Sequence, residues 1–333
     1  MTDRRQPPLT EPFEIEGVQI PNRVLLAPLA GIGNWFVRMQ ARRYGAGMAV
    51  SEMVSSHGLH YGNEKTTSEL MRIHPEEHPV SYQLFGQDPE IMRSAAAIAA
   101  ESGPDLIDIN MGCPVPKVMK TGAGAELRAD PELALELARA AREGSGLPVT
   151  VKIRSGIAPG DRSGFDLAIR LVEEAGVAAI AFHPRVARKG HSGSPDYELA
   201  RELSRSIPVP MIISGGLSDA EAARRAYEES GADAVMIARG SFGYPWIFAE
   251  LTGTEVPEAD RQAIMDELLW VMDRAEEHLG TERAGRYLRK FYPWYLDRVD
   301  VPKGVKDELC QSAGLDRARE VVVSIRDRGA VPV

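Results

Sequence analysis

PVSYQLFGQDPEIMRSAAAIAAESGPDLIDIN, residues 79–110, contains one full unit of the pattern that decides the fold. Its outer runs, 79–85 and 105–110, are strand-length and apolar nearly throughout, as in a parallel sheet covered on both faces. The segment between them, 89–101, reads as a helix. Working outward, further strand-like runs stand at 23–29 (RVLLAPL), 48–53 (MAVSEM), 148–153 (PVTVKI), 178–183 (AAIAFH), 209–214 (VPMIIS) and 234–238 (AVMIA). Helix-like segments lie between them, among them 131–143 and 218–229. Asp130 and Ser218 are expected as N-caps, and Pro131 takes the first helical position. Eight strands alternating with helices over about 250 residues is the arithmetic of an α/β fold, a (β/α)8 TIM barrel. A doubly wound open sheet is the competitor, and either fold puts its ligands at the carboxyl ends of the strands.

After Leu251 the pattern changes. TGTEVPEAD reads as a linker, and 260–327 as several helices with breaks near Pro293 and Pro302; a brief strand-like VVVSI stands at 321–325. The division falls between 1–252, the barrel, and 253–333, a small all-helical C-terminal domain. The formal net charge of −9 argues weakly against a nucleic-acid partner, yet charge is unevenly placed. From Glu282 to Lys306 seven basic residues face three acidic ones, and Arg185, Arg188, Lys189 and His191 cluster in a loop. No long apolar run predicts a membrane span. The amino terminus, with Arg4 and Arg5, lacks the apolar stretch of a secretory leader. With only Cys113 and Cys310, no disulfide framework is expected, which suits a reducing cytoplasm. No metal is expected.

The unusual polar residues gather at predicted strand ends. Pro28, Leu29 and Ala30 close the first strand and Gln83 the third; Asn110, Gly112, Cys113 and Pro114 follow the fourth. Lys152 and Arg154 end the fifth, His183 and Arg185 the sixth. Ser214, Gly215 and Gly216 end the seventh, and Ala238, Arg239 and Gly240 the eighth. These converge on the rim where barrel enzymes do their chemistry. Gly215-Gly216 and Arg239-Gly240 suit a phosphate cradle of backbone N–H groups, though glycines also simply turn chains. Neither GxGxxG nor GxxxxGK[ST] is present, which excludes a Rossmann or P-loop site. Lys152 has three readings: a cation facing an anionic reduced cofactor, a Schiff-base amine, or an ion pair with Asp108. His183 is either a core histidine or, beside Arg185, a site residue. Cys113 sits in a loop between glycine and proline, and an ordinary thiol, with pKa about 8.5, can serve as an acid at neutral pH. Cys310, in the tail, reads as structural.

APLAG (27–31), SYQLFG (81–86), DINMGCPVPKV (108–118), VKIRSG (151–156), FHPR (182–185), SGG (214–216) and IARGSFGYPWIF (237–248), with RYLRKFYPWYL (286–296) in the tail, together resemble the tRNA-dihydrouridine synthases from about Ile20 to Tyr295. The resemblance implies FMN held by Pro28, Leu29, Ala30, Gln83, Lys152, Ser214, Gly215, Gly216, Ala238 and Arg239, with His183 beside flavin and base. It implies that Asn110 and Arg185 face a uracil, that flavin N5 gives hydride to C6, and that Cys113, the catalytic residue, protonates C5. NADPH or NADH would be the reductant, and tRNA the partner of a monomeric enzyme. Arg286, Arg289 and Lys290 would grip the RNA backbone, with the tail's aromatics turned inward. The chain departs from the family at Val186 (usually Thr), at Phe291 (often His), at SGG, and in its ARKGHSGSPDY loop, which lacks a common Gln. Alternatives at this stage are the same chemistry on ribosomal RNA or a free pyrimidine, a lysine-dependent barrel aldolase, and a non-catalytic RNA-binding protein.

Overall fold

The computed structural model describes residues 6–63 and 69–328; Arg4 and Arg5, on which the reading of the amino terminus rests, lie outside that range, as do the extreme ends of both expected domains. A hairpin, β1 (Phe13–Ile15) and β2 (Val18–Ile20), precedes the strands β3 (Val24–Leu26), β4 (Met48–Val50), β5 (Val54–Ser55), β6 (Val80–Phe85), β7 (Leu106–Met111), β8 (Val149–Arg154), β9 (Ala179–His183), β10 (Met211–Ser214) and β11 (Ala234–Ile237). From β3 on, every pairing is parallel and follows chain order. Two further pairings, β11 with β3 and β4 with β6, close the sheet into a barrel of eight strands, with β5 continuing the edge of β4 along β6. Closure rejects the doubly wound alternative.

Around the barrel stand α1 (Trp35–Arg43), α2 (Ser56–His60), α3 (Pro89–Glu101), α4 (Pro116–Met119), α5 (Pro131–Ser145), α6 (Ser163–Ala175), α7 (Tyr197–Ser206), α8 (Ala220–Ser230) and α9 (Trp246–Thr252). Asp130 caps α5, its side chain accepting from Leu133 N. The cap of α8 is Asp219 rather than the expected Ser218, because the Asp219 carboxylate receives the Ala222 N–H while the Ser218 hydroxyl donates to Asp219.

The continuous apolar runs conceal a period of two. Outward positions such as Val24, Leu26, Ile107, Ile109, Val151 and Ile213 pack under the helices. Inward positions, Leu25, Met48, Leu106, Ala179 and Ala234 among them, form a second core inside the barrel. The hairpin joins this inner core: Ile15 and Ile20 are fully buried in it and seal the amino-terminal end. Higher along the same strands the inward positions turn polar, with Ser81, Gln83, Asp108, Asn110, Thr150 and His183 all buried. Among the described residues, the polar inward positions therefore gather at the carboxyl-terminal mouth of the barrel.

Gly253 ends α9 in the left-handed conformation, and an extended connection leads to the tail: α10 (Arg261–Leu279), α11 (Thr281–Leu288), α12 (Tyr292–Leu296), α13 (Lys303–Gln311) and α14 (Leu315–Arg328). The VVVSI run, strand-like in sequence, lies inside α14 and buries Val321, Val322 and Ile325 against the other tail helices. Tertiary packing overrides β-branched propensity there. The tail docks on α1. Glu267, buried on α10, accepts from Gln40 Nε2 (2.8 Å), Tyr44 Oη (2.9 Å) and Arg43 Nη1 (3.1 Å). No helix among the described residues is long and apolar enough to cross a membrane.

Candidate active site

A cavity of about 580 Å³ opens at the carboxyl ends of the strands. Of the residues singled out in the sequence, Pro28, Ala30, Gln83, Asn110, Cys113, Lys152, His183, Arg185, Ser214, Gly215, Gly216, Ala238 and Arg239 line it. Leu29 does not: its side chain turns into a small apolar space beneath Phe291 and Trp294. Arg286, Arg289 and Lys290 also lie outside the cavity, on the tail. Arg286 pairs with Glu282, Arg289 reaches the Ser312 carbonyl, and Lys290 the Gly31 carbonyl.

The floor is a relay of side chains with fixed orientations. Asp108 accepts from Thr150 Oγ1 (2.6 Å) and from Gln83 Nε2 (2.7 Å). That sets the Gln83 amide, whose Oε1 accepts from Asn110 Nδ2 (2.9 Å). Asn110 Oδ1 in turn accepts the backbone N–H groups of Gly112 (3.2 Å) and Cys113 (2.9 Å). The loop that carries the thiol is thus tied, through two amides, to a buried carboxylate. Burial raises Asp108 to about 6, against the hydrogen bonds from Gln83 and Thr150 and the Lys152 charge.

Above this floor the cavity is cationic. Its lining includes Lys152, Arg154, Arg185 and Arg239 and, among the described residues, no acidic one, in a chain of net charge −9. The Lys152 ammonium has no hydrogen-bonded acceptor among the described residues, and the Asp108 ion pair considered from sequence does not form, since Gln83 and Thr150 occupy that carboxylate. Burial lowers Lys152 to about 8, Arg154 adding to the effect and Asp108 and Cys113 opposing it. Arg154 is lowered to about 10 by burial and by Arg185. His183 is held far below the usual imidazole range, first by burial and then by Lys152, Arg154 and Arg185, so its ring is neutral. Arg185 Nη1 lies 3.4 Å from His183 Nε2, which makes that nitrogen the acceptor.

Beside His183 the chain runs through Gly215 (φ 94°) and Gly216 (φ 83°). A Cβ on Gly215 would stand 2.1 Å from His183 Nε2, and one on Gly216 2.6 Å from Tyr197 Oη. Positive φ and the close approach of His183 and Tyr197 together require glycine at both positions, and both glycines line the cavity. Cys310, on α13, is far from these groups in sequence and fold, and burial raises its thiol.

Several contributors were not among the expected site residues. Asp108 and Thr150 are inward-facing neighbours of Gln83, Asn110 and Lys152, and the period of two marks them once the barrel is known. Met53, at the end of MAVSEM, and Val115 and Leu217, in the loops, line the cavity without a chemical signal in sequence. His191 also lines it, its ring stacked with that of His183 at 6.4 Å. The loop bearing it is held by Arg154 Nη1 on the Gly190 carbonyl (2.8 Å) and Arg185 Nε on the Gly193 carbonyl (3.1 Å).

Known proteins resemble this chain to different depths. The family described as Dihydrouridine synthase (Dus) matches residues 25–328. The tRNA-dihydrouridine synthase B of Shewanella oneidensis is 35% identical over 297 residues, 86% of this chain and 90% of that protein. That of Pseudomonas aeruginosa is 39% identical over 285 residues, 83% of this chain and 84% of that protein. Among solved structures, a variant of NCR from Zymomonas mobilis gives a TM-score of 0.55 at 16% identity, covering 78% of this chain and 95% of that one. Morphinone reductase in complex with tetrahydroNAD gives 0.52 at 17% identity, covering 78% and 94%. At such identities these two likenesses speak to the fold alone.

Proposed function

The chain belongs to the dihydrouridine synthase family, and we propose that it reduces selected uridines of tRNA to 5,6-dihydrouridine, with FMN as cofactor and NADPH or NADH as reductant. The observation that carries this reading is the cationic cavity, without an acidic lining residue among the described residues, that gathers Asn110, Cys113, Lys152, His183 and Arg185 beside Gly215 and Gly216. These residues fit a phosphorylated flavin. Ser214, Gly215, Gly216, Ala238 and Arg239 would hold its phosphate, and Lys152, with no hydrogen-bonded acceptor among the described residues, would meet the negative charge of its reduced ring. Pro28, Ala30, Gln83 and the neutral His183 would border the rest. When bound, the flavin supplies the hydride that goes to uracil C6.

This chain's residues do the remainder. A uridine buried in folded RNA must be extruded to reach the cavity. Asn110 and Arg185 would face its ring. Cys113 gives its proton to C5, leaving a thiolate among the charges of Lys152 and Arg154, and water restores that proton. One hydride at C6 and one proton at C5 complete the reduction. Residues 253–333, through exposed groups such as Arg286 and Arg289, act as the tRNA-binding unit, with 1–252 as the flavin-binding unit of a cytoplasmic monomer.

Purified protein tests this directly. It should be yellow, with flavin absorbance, and should form dihydrouridine in unmodified tRNA when given NADPH. A colourless protein trapped on Lys152 by borohydride with a carbonyl compound would instead favour the aldolase reading.

A further inference from the structure

The loop after β3 gives Pro28 and Ala30 to the cavity wall, and its path is fixed from both the barrel, where Arg38 Nη1 donates to the Gly33 carbonyl (3.0 Å), and the tail. Leu29 and Ile32 share a small apolar space with Phe291 and Trp294. Tyr287 Oη donates to the Ile32 carbonyl (2.8 Å). Lys290 Nζ donates to the Gly31 carbonyl (2.6 Å) and lies 4.5 Å from the centre of the Tyr287 ring. On the barrel side, Glu52 accepts from the Gly31 N–H (2.6 Å), and its neighbour Met53 lines the cavity. Gly31 is therefore gripped by its N–H from the barrel and by its carbonyl from the tail.

We propose that Lys290 and Tyr287 are positioning residues for the cofactor: the tail holds the 28–33 loop against the flavin, so that the flavin's environment depends on the tail even when no RNA is bound. This inference rests on the flavin reading above. It gives Lys290 a role different from the phosphate contact expected from sequence. Glu52, whose carboxyl burial raises and Lys290 opposes, is the counter-anchor that keeps the loop from following the tail outward.

The test uses the holoenzyme without RNA and compares wild type with Lys290→Met, Lys290→Arg and Tyr287→Phe. Flavin release is followed by the rise of its fluorescence on dilution, the flavin midpoint potential is measured alongside, and tRNA affinity is measured separately. Lys290→Met and Tyr287→Phe should each release flavin about fivefold faster, the scale of one lost hydrogen bond, and shift the potential. Lys290→Arg, which keeps a donor, should recover most of the difference. Removing only a hydroxyl, Tyr287→Phe keeps the test sound if Lys290→Met misfolds. The inference is overturned if both variants hold flavin like wild type while Lys290→Met weakens tRNA binding, as for a plain RNA contact. Wild-type protein that takes up no flavin would refute the proposed function, and this inference with it.

Discussion

Replacing Lys152 with methionine should make the flavin-free protein more stable at neutral pH while abolishing its hold on the cofactor. The ammonium sits among buried strand residues with no hydrogen-bonded acceptor among the described residues, and burial first, then the Arg154 charge, lowers it from 10.5 to about 8. A shift of that size corresponds to about 3 kcal/mol of native-state cost at neutral pH. The group reaches the water of the cavity, and its loss removes a favourable charge near Asp108, so about 1–2 kcal/mol is the expected gain. The pH dependence fixes the sign. Between about 8 and 10.5 the unfolded chain keeps a proton that the native Lys152 has released, so wild-type stability rises with pH across that window. Below 8 the cost is fully present. Denaturant midpoints of flavin-free wild type and Lys152→Met, taken at pH 7 and pH 10, should therefore converge as pH rises. A variant less stable than wild type at pH 7, or a difference that widens toward pH 10, would refute the reasoning, because Lys152 would then be serving the fold.

Three further outcomes are expected. Cys113→Ala should slow single-turnover dihydrouridine formation by about 10²–10⁴-fold while flavin reduction by NADPH keeps its rate; equal turnover would remove Cys113 from the acid's role. Gly215→Ala puts a Cβ 2.1 Å from His183 Nε2 on a backbone of φ 94°, so the purified protein should lose its flavin; an unchanged flavin-to-protein ratio would contradict the cradle. Glu77→Ala leaves Arg38, 1% exposed and paired with it at 2.6 Å, as a buried uncompensated charge. That should cost about 3–5 kcal/mol in thermal or denaturant unfolding, and a loss below about 1 kcal/mol would count against the pair.

The barrel was legible because its strands are apolar on both faces and alternate with helices, a pattern that survives without knowledge of contacts. So was most of the cavity lining, since the mouth of this fold is built from strand ends, where Gln83, Asn110, Lys152 and His183 stand. The amino-terminal hairpin escaped the same method: FEI/VQI, around Glu16 and Gly17, both with positive φ, alternates with charged and polar residues and lies in no longer apolar run of the kind that marked β3 and β4. The VVVSI run misled because local propensity cannot see the helices that bury it. Leu29 stands between two cavity residues, but a sharp turn, with Ile32 N and Gly33 N both on its carbonyl, sends its side chain the other way. The Arg38–Glu77 pair and the Lys290–Gly31 contact join residues far apart in sequence, and nothing local announces them.

The cavity above Asp108 is proposed to reduce uridines of tRNA. Nucleoside mass spectrometry of tRNA, with each modified position mapped, tests it most directly in a strain lacking the gene and any paralogue, with and without the gene restored. Loss of dihydrouridine at defined positions, restored by wild type and not by Cys113→Ala, is the predicted result. Dihydrouridine unchanged at every position would contradict the account.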